Sequence, residues 1–216
     1  MKDFSRLARE LAEISHRFYA RGWVLGTSGN FSAVLSRSPL RLAITASGVA
    51  KGALTAANIL QCGDDGRVMG GRRRRSARPS AETLLHVEIA KSRSAGAVLH
   101  THSVWSTILS DLHARDGGLA LDGYEMLKGL QGVASHAHRE WIPIVENDQD
   151  MPRLARTIGD TLARFGDAHA LLLRRHGVYT WGATLGEAER HVEILEFLFE
   201  TVGRTREVTR GRHQHP

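Results

Sequence analysis

The stretch AGAVLHTHSVWS, residues 95–106, runs from a short apolar segment into two histidines that are separated by a single residue. A run this short and this apolar is typical of a strand that is buried on both faces of a sheet. Because residues i and i+2 of a strand point to the same face, His100 and His102 can direct their ring nitrogens at one point. The stretch therefore predicts a buried strand that ends in two candidate metal ligands.

A third ligand is predicted from the segment ALLLRRHG, residues 170–177, in which an apolar strand leads to His176 and a glycine follows. Catalytic zinc is commonly held by three protein ligands, which leave one position open for water or substrate. The three histidines together therefore favour a catalytic metal site. From the residues alone, satisfied core histidines stay open as the alternative.

Two further pairs have the same spacing, His136 with His138 and His213 with His215. The first pair lies in a polar segment that no apolar run holds in place. The second lies near the end of the sequence given, where order is least expected. We interpret both pairs as surface histidines or as core histidines whose hydrogen bonds are satisfied.

The composition predicts a single globular domain, since 216 residues with 42% hydrophobic and 24% charged side chains suffice for a substantial core. No segment reaches the ~20 apolar residues of a membrane span, and the charged first residues do not resemble a signal peptide. The single cysteine, Cys62, excludes an intramolecular disulfide. These features favour a reducing cytoplasm and a metal held by histidines and carboxylates.

Much of the formal net charge of +6 comes from the run GRRRRSARP, residues 71–79, with Arg72–Arg75 at its centre. Four consecutive arginines cannot all face one partner from a helix or strand, so we interpret the run as a solvated loop. Attraction of an anionic substrate is the first alternative, and nucleic-acid binding is the second. Because no nucleic-acid-binding signature accompanies the run, we expect neither a nucleic-acid nor a membrane partner.

The hydrophobic periodicity alternates between helices and strands, which predicts an α/β fold with a mixed sheet between helices. We expect one domain over residues 1–203, followed by a polar tail over residues 204–216. Helices are predicted at residues 4–21, 54–60, 80–94, 103–112, 124–132, 150–165 and 184–202, and strands at 31–36, 40–46, 95–101, 140–145 and, as a broken pair, 168–182.

Five segments in fixed order resemble the class II aldolase/adducin family over nearly the whole chain. They are GTSGNFS (26–32), ITASGVAKG (44–52), PSAETLLH (79–86), VLHTHS (98–103) and RRHGVYTWG (174–182). Each motif alone is weak, whereas all five in this order are specific. The resemblance implies a three-layer α/β/α fold with a central, mixed and largely antiparallel sheet. It also implies a cyclic homotetramer with active sites near the subunit interfaces.

The resemblance further implies one Zn²⁺ per subunit, held by His100, His102 and His176. Small residues in glycine-rich turns let backbone N–H groups and hydroxyls close around an anion, although such residues also simply make turns. Lys51 or an arginine of the loop is a weaker candidate for added positive charge. The resemblance places phosphate binding on Thr27, Ser28, Gly29, Asn30, Ser47, Gly48 and Ser80.

Three segments have sequences similar to those found, within the family, in enzymes that dehydrate 5-methylthioribulose 1-phosphate in methionine salvage. They are YEMLKGL (124–130), NDQDM (147–151) and RRHGVYTWG (174–182). The product of these enzymes is 2,3-diketo-5-methylthiopentyl 1-phosphate. The nearest alternative is an aldolase or 4-epimerase acting on fuculose, rhamnulose or ribulose phosphate. A more remote alternative is a non-enzymatic, adducin-like interaction domain, which predicts damaged metal ligands.

Two carboxylates are candidates for the acid and base of this reaction. The resemblance places the acid/base at Glu125, whose simplest other role is a surface pair with Lys128. Glu82 matches the glutamate that serves as the base in the aldolases of the family and that can bind zinc. Its simplest other role is a first-turn glutamate favoured by the helix dipole. We favour Glu125 for the dehydration and expect Glu82 to contact the substrate or the metal.

Overall fold

The computed structural model describes residues 3–70 and 78–212. The arginine run Arg72–Arg75 and the pair His213 and His215 lie outside these residues. Among the described residues, no helix is both long enough and apolar enough to cross a membrane.

The fold is built on one eight-stranded sheet with the strand order β3-β2-β1-β4-β8-β7-β6-β5. Strands β6 and β7 are parallel, and the other neighbouring strands are antiparallel. In chain order the strands are β1 (Asn30–Arg37), β2 (Leu40–Thr45), β3 (Ile59–Gly63), β4 (Ala97–Thr101), β5 (Gly118–Asp122), β6 (Arg139–Val145), β7 (Ala170–Leu173) and β8 (Gly177–Gly182).

In the part of the chain that the structure describes, five α-helices cover the two faces of this sheet, which gives the predicted three layers. On one face, α1, α3 and α5 enclose two apolar clusters, and on the other α2 and α4 enclose a third. The helices are α1 (Phe4–Ala20), α2 (Thr83–Ser92), α3 (Val104–Leu112), α4 (Met151–Arg164) and α5 (Leu185–Arg212). Single 3₁₀ turns span Lys51–Ala53, Ala56–Asn58 and Ala114–Asp116, and a longer one spans Glu125–Gly129.

Strand β4 lies at the centre of the sheet between β1 and β8, because its side chains are apolar on both faces. Ala97 and Leu99 pack toward α1 and α5, whereas Val98 packs toward α2. The strand is buried over its whole length. This packing confirms the buried strand predicted from the opening stretch and holds rigidly the backbone that carries His100.

Several predicted boundaries are wrong. The helix predicted over residues 54–60 stops at Asn58, because Ile59 and Leu60 are buried as strand residues opposite β2. Strand β5 was not predicted, and α2 begins at Thr83, later than expected, after a turn that Ser80 closes. Helix α5 continues to Arg212, well past the predicted end at residue 202.

A buried carboxyl lies beneath the end of β4 and ties this strand to α5. Glu196 is 3% exposed, and its Oε1 accepts a hydrogen bond of 2.6 Å from Oγ1 of Thr101. Burial is the main cause that raises the pKa of Glu196 from 4.5 to about 7. The carboxyl is therefore protonated in the folded chain at pH values where it is ionised in the unfolded chain.

We expect Glu196→Gln to stabilise the protein at pH 8. The folded wild type binds more protons than the unfolded chain between pH 4.5 and about 7, so its free energy of unfolding falls as the pH rises through this window. The loss is on the order of 2–3 kcal/mol. Glutamine avoids the loss and still accepts from Thr101. Urea unfolding at pH 4.5 and pH 8 tests this, and parallel pH dependence in the two proteins would contradict it.

Candidate metal centre and its cleft

Four side chains converge at one end of the central strands. His100, His102, His176 and Glu82 each contribute a donor atom, and these atoms all lie within 4.8 Å of one another. The Nε2 atom of His100 lies 2.7 Å from Nε2 of His102 and 3.4 Å from Nε2 of His176. It lies 3.5 Å from Oε2 of Glu82. The structure thus brings together the three predicted histidines and one of the two predicted carboxylates.

His100 is fixed by contacts with the neighbouring strand β8. Its Nδ1 donates to the carbonyl oxygen of Val178 at 2.9 Å, which leaves the lone pair of the neutral ring on Nε2. Its ring stacks on that of Tyr179, with centroids 3.9 Å apart and planes 9° apart. Gly177 allows this approach of β8, because a Cβ there would collide with the carbonyl oxygen of Thr101. The backbone partners therefore determine which nitrogen faces the centre.

His176 lies in the turn between β7 and β8, which α3 braces. Arg175 in this turn has a φ of 55°, and its backbone N–H donates to Oγ of Ser110. Asp111 of α3 accepts from Nε of Arg174 at 2.8 Å and pairs with Arg175 at 2.9 Å. The two arginines of RRHG therefore hold the turn, and neither of them lines the cleft described below.

Glu82 is positioned by a chain of buried polar groups. Its Oε2 accepts from Nδ2 of Asn30, whose Oδ1 in turn accepts from Nε2 of His86. Oγ of Ser32 completes the chain by donating to Nδ1 of His86 at 2.7 Å. Burial lowers the pKa of His86 to about 3, so this ring stays neutral and the hydrogen bonds from Ser32 to Glu82 keep one direction. The side chain of Asn30 therefore orients Glu82.

The donor set fits a divalent metal ion. Burial lowers the pKa of His102 to about 3 and the pKa values of His100 and His176 as well, so all three rings are neutral and carry lone pairs. Neutral imidazole nitrogens with one carboxylate are ligands that zinc accepts, at about 2.0–2.1 Å. The Nδ1–H of His100 on a backbone carbonyl is the outer-shell contact that metal-binding histidines usually make.

A cleft of about 440 Å³ opens beside this centre and reaches His102, His176 and Glu82. Gly29 stands where the chain passes closest to the centre: its φ is +73°, and a Cβ there would lie 2.7 Å from the carbonyl oxygen of His100. All of the residues predicted to bind phosphate line the cleft: Thr27, Ser28, Gly29, Asn30, Ser47, Gly48 and Ser80.

Lys51 is the lysine among the described residues that line the cleft. It is 1% exposed, and its Nζ donates to the carbonyl oxygens of Thr27 at 3.0 Å and Val49 at 3.3 Å. An ammonium has three hydrogens, so one is left to meet an anion. Burial lowers the pKa of Lys51 to about 8. The sequence singled out Lys51 only weakly, since a loop arginine could supply the same charge.

Glu125 does not join the metal centre. It lies on the 3₁₀ turn Glu125–Gly129 with 73% of its side chain exposed, and its Oε1 accepts from Nζ of Lys128 at 2.7 Å. His136 lies 3.8 Å away on its other side. Hydrogen bonding to Lys128 lowers the pKa of Glu125. Among the described residues of one chain, Glu82 is therefore the carboxylate at the centre. No contact of Glu125 within these residues supports our preference for it as the acid/base of the dehydration.

Three residues of the NDQDM segment also line the cleft, although we predicted no role for them. They follow the end of β6, and polar residues just after a buried strand were the signal that could have indicated them. They are Asn147, Gln149 and Met151.

The match to a family model decides which family these features belong to. The model of the class II aldolase and adducin N-terminal domain matches residues 9–202. The chain belongs to this family. The class II aldolases are metal-dependent, in agreement with the His/Glu group of this chain.

Individual class II aldolase relatives cover almost all of the chain. It is 46% identical over 209 residues to the methylthioribulose-1-phosphate dehydratase of Methylococcus capsulatus, covering 96% of this chain and 98% of the relative. It is 42% identical over 199 residues to the enzyme of the same name from Sorangium cellulosum, covering 92% of each. The crystal structure of YgbL from Escherichia coli has a TM-score of 0.77 at 28% identity, covering 93% and 90%. The class II aldolase fold is therefore confirmed.

Proposed function

We propose that the protein removes water from 5-methylthioribulose 1-phosphate to give 2,3-diketo-5-methylthiopentyl 1-phosphate, with Zn²⁺ held by His100, His102 and His176. The observation that carries this proposal is the 46% identity, over nearly the full length of both chains, to a relative named for this dehydration. The converging histidines support it, because an interaction domain without catalysis has no need to keep these ligands. The reaction is the loss of water from a ketose phosphate.

The cleft supplies the binding site for the phosphate. The turns at residues 27–30 and 46–48 line the same cleft as Ser80 and the buried ammonium of Lys51. Because this anion site and the histidine cluster share one cleft, a substrate anchored by its phosphate presents its carbonyl end to the histidines. Binding at a distance from the reacting carbons thereby orients them.

The chain's own residues then move the protons. When bound, Zn²⁺ polarises the C2 carbonyl of the ketose and makes the C3 proton more acidic. Glu82, held by Asn30 at the edge of the cluster, takes the proton from C3. The C4–O bond breaks and the hydroxyl leaves as water after it receives a proton, either from Glu82 or from Glu125. The resulting enol at C3 gains a proton at C4 and becomes the second ketone.

Glu125 can take part only from a second copy of the chain, and we propose that a homotetramer provides it. An apolar stripe on the outer face of α3 supports subunit packing. The stripe consists of Val104, Ile108 and Leu112, which are 65%, 40% and 50% exposed and recur every four residues. Met126, next to Glu125 in the chain, is a further exposed apolar side chain.

Mass spectrometry of the product tests the proposed reaction. Zinc-loaded protein incubated with 5-methylthioribulose 1-phosphate is expected to yield a species lighter by one water. Fuculose 1-phosphate and ribulose 5-phosphate are the controls for aldol cleavage and 4-epimerisation, which need the same metal centre. Cleavage of fuculose 1-phosphate without water loss from the first substrate would replace the dehydratase proposal with an aldolase.

The role of Lys51 predicts a pH dependence of substrate capture. We expect kcat/KM to fall as the pH rises through about 8, because Lys51 loses its charge there and the phosphate loses a charged donor. Lys51→Met should lower kcat/KM at pH 7 by roughly 10- to 100-fold, the effect of about 1.5–3 kcal/mol for a charged hydrogen bond. It should also remove the fall near pH 8. The control is Lys91→Met, which changes an exposed lysine paired with Asp64.

A further inference from the structure

A second group of metal-binding side chains lies at the opposite end of the strands. His138 directly precedes β6, Glu140 is the second residue of β6, and His169 directly precedes β7. One donor atom from each of these residues lies within 4.8 Å of the others. His176 follows β7, so the four residues of this strand separate the two groups by roughly 13 Å, at about 3.3 Å per residue. The group is distinct from the candidate active site.

The three donor atoms face one another. Oε2 of Glu140 lies 2.9 Å from Nε2 of His138 and 2.9 Å from Nδ1 of His169. Donors bound to one zinc ion at about 2.0–2.1 Å are roughly 3.0–3.4 Å apart, so small shifts suffice to admit the ion. The ion would replace the hydrogens that the two rings now donate to this carboxylate oxygen.

The surrounding contacts are those that orient metal ligands. Nε2 of His169 donates to the carbonyl oxygen of Gln131 at 2.8 Å, which turns Nδ1 toward Glu140. Oε1 of Glu140 accepts from the backbone N–H of His169 at 2.8 Å, which leaves Oε2 for the shared point. A ligating histidine whose other N–H is held by a carbonyl, and a ligating carboxylate that is itself hydrogen-bonded, are the usual outer shell of a metal site.

Burial and access also fit a bound ion. The side chain of Glu140 is 1% exposed, whereas those of His169 and His138 are 16% and 32% exposed. Burial acts to lower the pKa of His169, but the hydrogen bond to the Glu140 carboxylate outweighs it and raises the pKa, so a divalent ion would take the place of the proton that now pairs with this carboxylate. A cleft of about 620 Å³ reaches both histidines, so ions can enter and water can fill the remaining coordination positions.

We propose that His138, Glu140 and His169 form a second site for a divalent transition-metal ion of the zinc and cobalt class. Two imidazoles and one carboxylate suit such ions better than Mg²⁺ or Ca²⁺, which prefer oxygen ligands. The ion joins the starts of β6 and β7 to the segment at Gln131, and its role is structural. The proposal is independent of the reaction proposed above, because none of these residues lines the cleft of the first centre.

Metal stoichiometry tests the proposal. Untagged protein is stripped with chelator, dialysed against Co²⁺ and analysed for cobalt per chain. His138→Gln is expected to bind one equivalent fewer than the wild type. Glutamine keeps an N–H that can donate to Glu140, so a purely structural hydrogen bond survives while the ring nitrogen is lost. His136→Gln is the matched control, because His136 is 64% exposed in the same segment and lies outside the group.

His138→Gln is expected to lose one equivalent of cobalt, from the second site, and His102→Ala one equivalent from the first centre. The double variant should lose two. His169→Asn, which removes the ring from the same point, should match His138→Gln. If the two variants bind as much cobalt as the wild type and His136→Gln, the second site does not exist. Absence of catalytic turnover leaves these stoichiometries unchanged, so the two proposals fail separately.

Discussion

Replacing His102 with alanine is expected to remove the metal from the candidate active site and to lower kcat by roughly 10³- to 10⁴-fold, which corresponds to about 4–5 kcal/mol of lost charge stabilisation. His102 is the suitable ligand to change, because His100 is completely buried and its loss would disturb the sheet. The fold should persist, since the ring of His102 faces the cleft. Cobalt content and the rate of water loss are measured on the same preparation.

Three results together would support the role of His102 as a metal ligand of the active site. The variant should keep the circular dichroism spectrum of the wild type, bind one equivalent of Co²⁺ less, and fail to regain activity when excess Zn²⁺ is added. His16→Ala is the control, since His16 is exposed on α1 and belongs to neither histidine group. Near-normal activity of metal-free His102→Ala would show that the reaction does not use this centre.

The main features of this centre could be predicted from sequence because they depend on local patterns. The alternation of side chains along a strand puts His100 and His102 on one face, and the apolar run before them predicts their rigid backbone. The same reasoning located His176 after β7. In the structure the three rings converge on one point, while their role as metal ligands stays a prediction. Short-range rules suffice where a ligand's position follows from its own strand.

Other features depend on long-range pairing, which a single sequence does not reveal. Glu82 reaches the centre only because Asn30 of β1 lies opposite His100 in the register of the sheet. His138 and His169 meet at Glu140 because β6 and β7 are parallel neighbours, although they are distant in sequence. We interpreted His138 as a surface or satisfied histidine, and its hydrogen bond to Glu140 agrees with the second description, although the sequence did not show which partner it would have.

Glu82→Gln is expected to lower kcat by roughly 10²- to 10⁴-fold, the usual contribution of a general base, with little change in KM. Glutamine has nearly the same shape and still accepts from Asn30, so metal content and stability should stay near those of the wild type. Steady-state kinetics with the metal content of each sample measured alongside is the test. A kcat within a few-fold of the wild type would contradict the role of Glu82 as the base.

Glu125→Gln separates the two carboxylates and also tests the assembly. If Glu125 supplies the proton to the C4 hydroxyl from a neighbouring subunit, its variant should also lose kcat, whereas Lys128→Met should not.

Mixing unfolded Glu82→Gln and Glu125→Gln chains and refolding them together should then restore part of the activity. In such mixed tetramers, roughly one site in four has an intact Glu82 from one subunit and an intact Glu125 from its neighbour. Activity that returns on mixing places Glu125 in the neighbour's site. Full activity of Glu125→Gln alone leaves Glu82 as both base and acid within one chain.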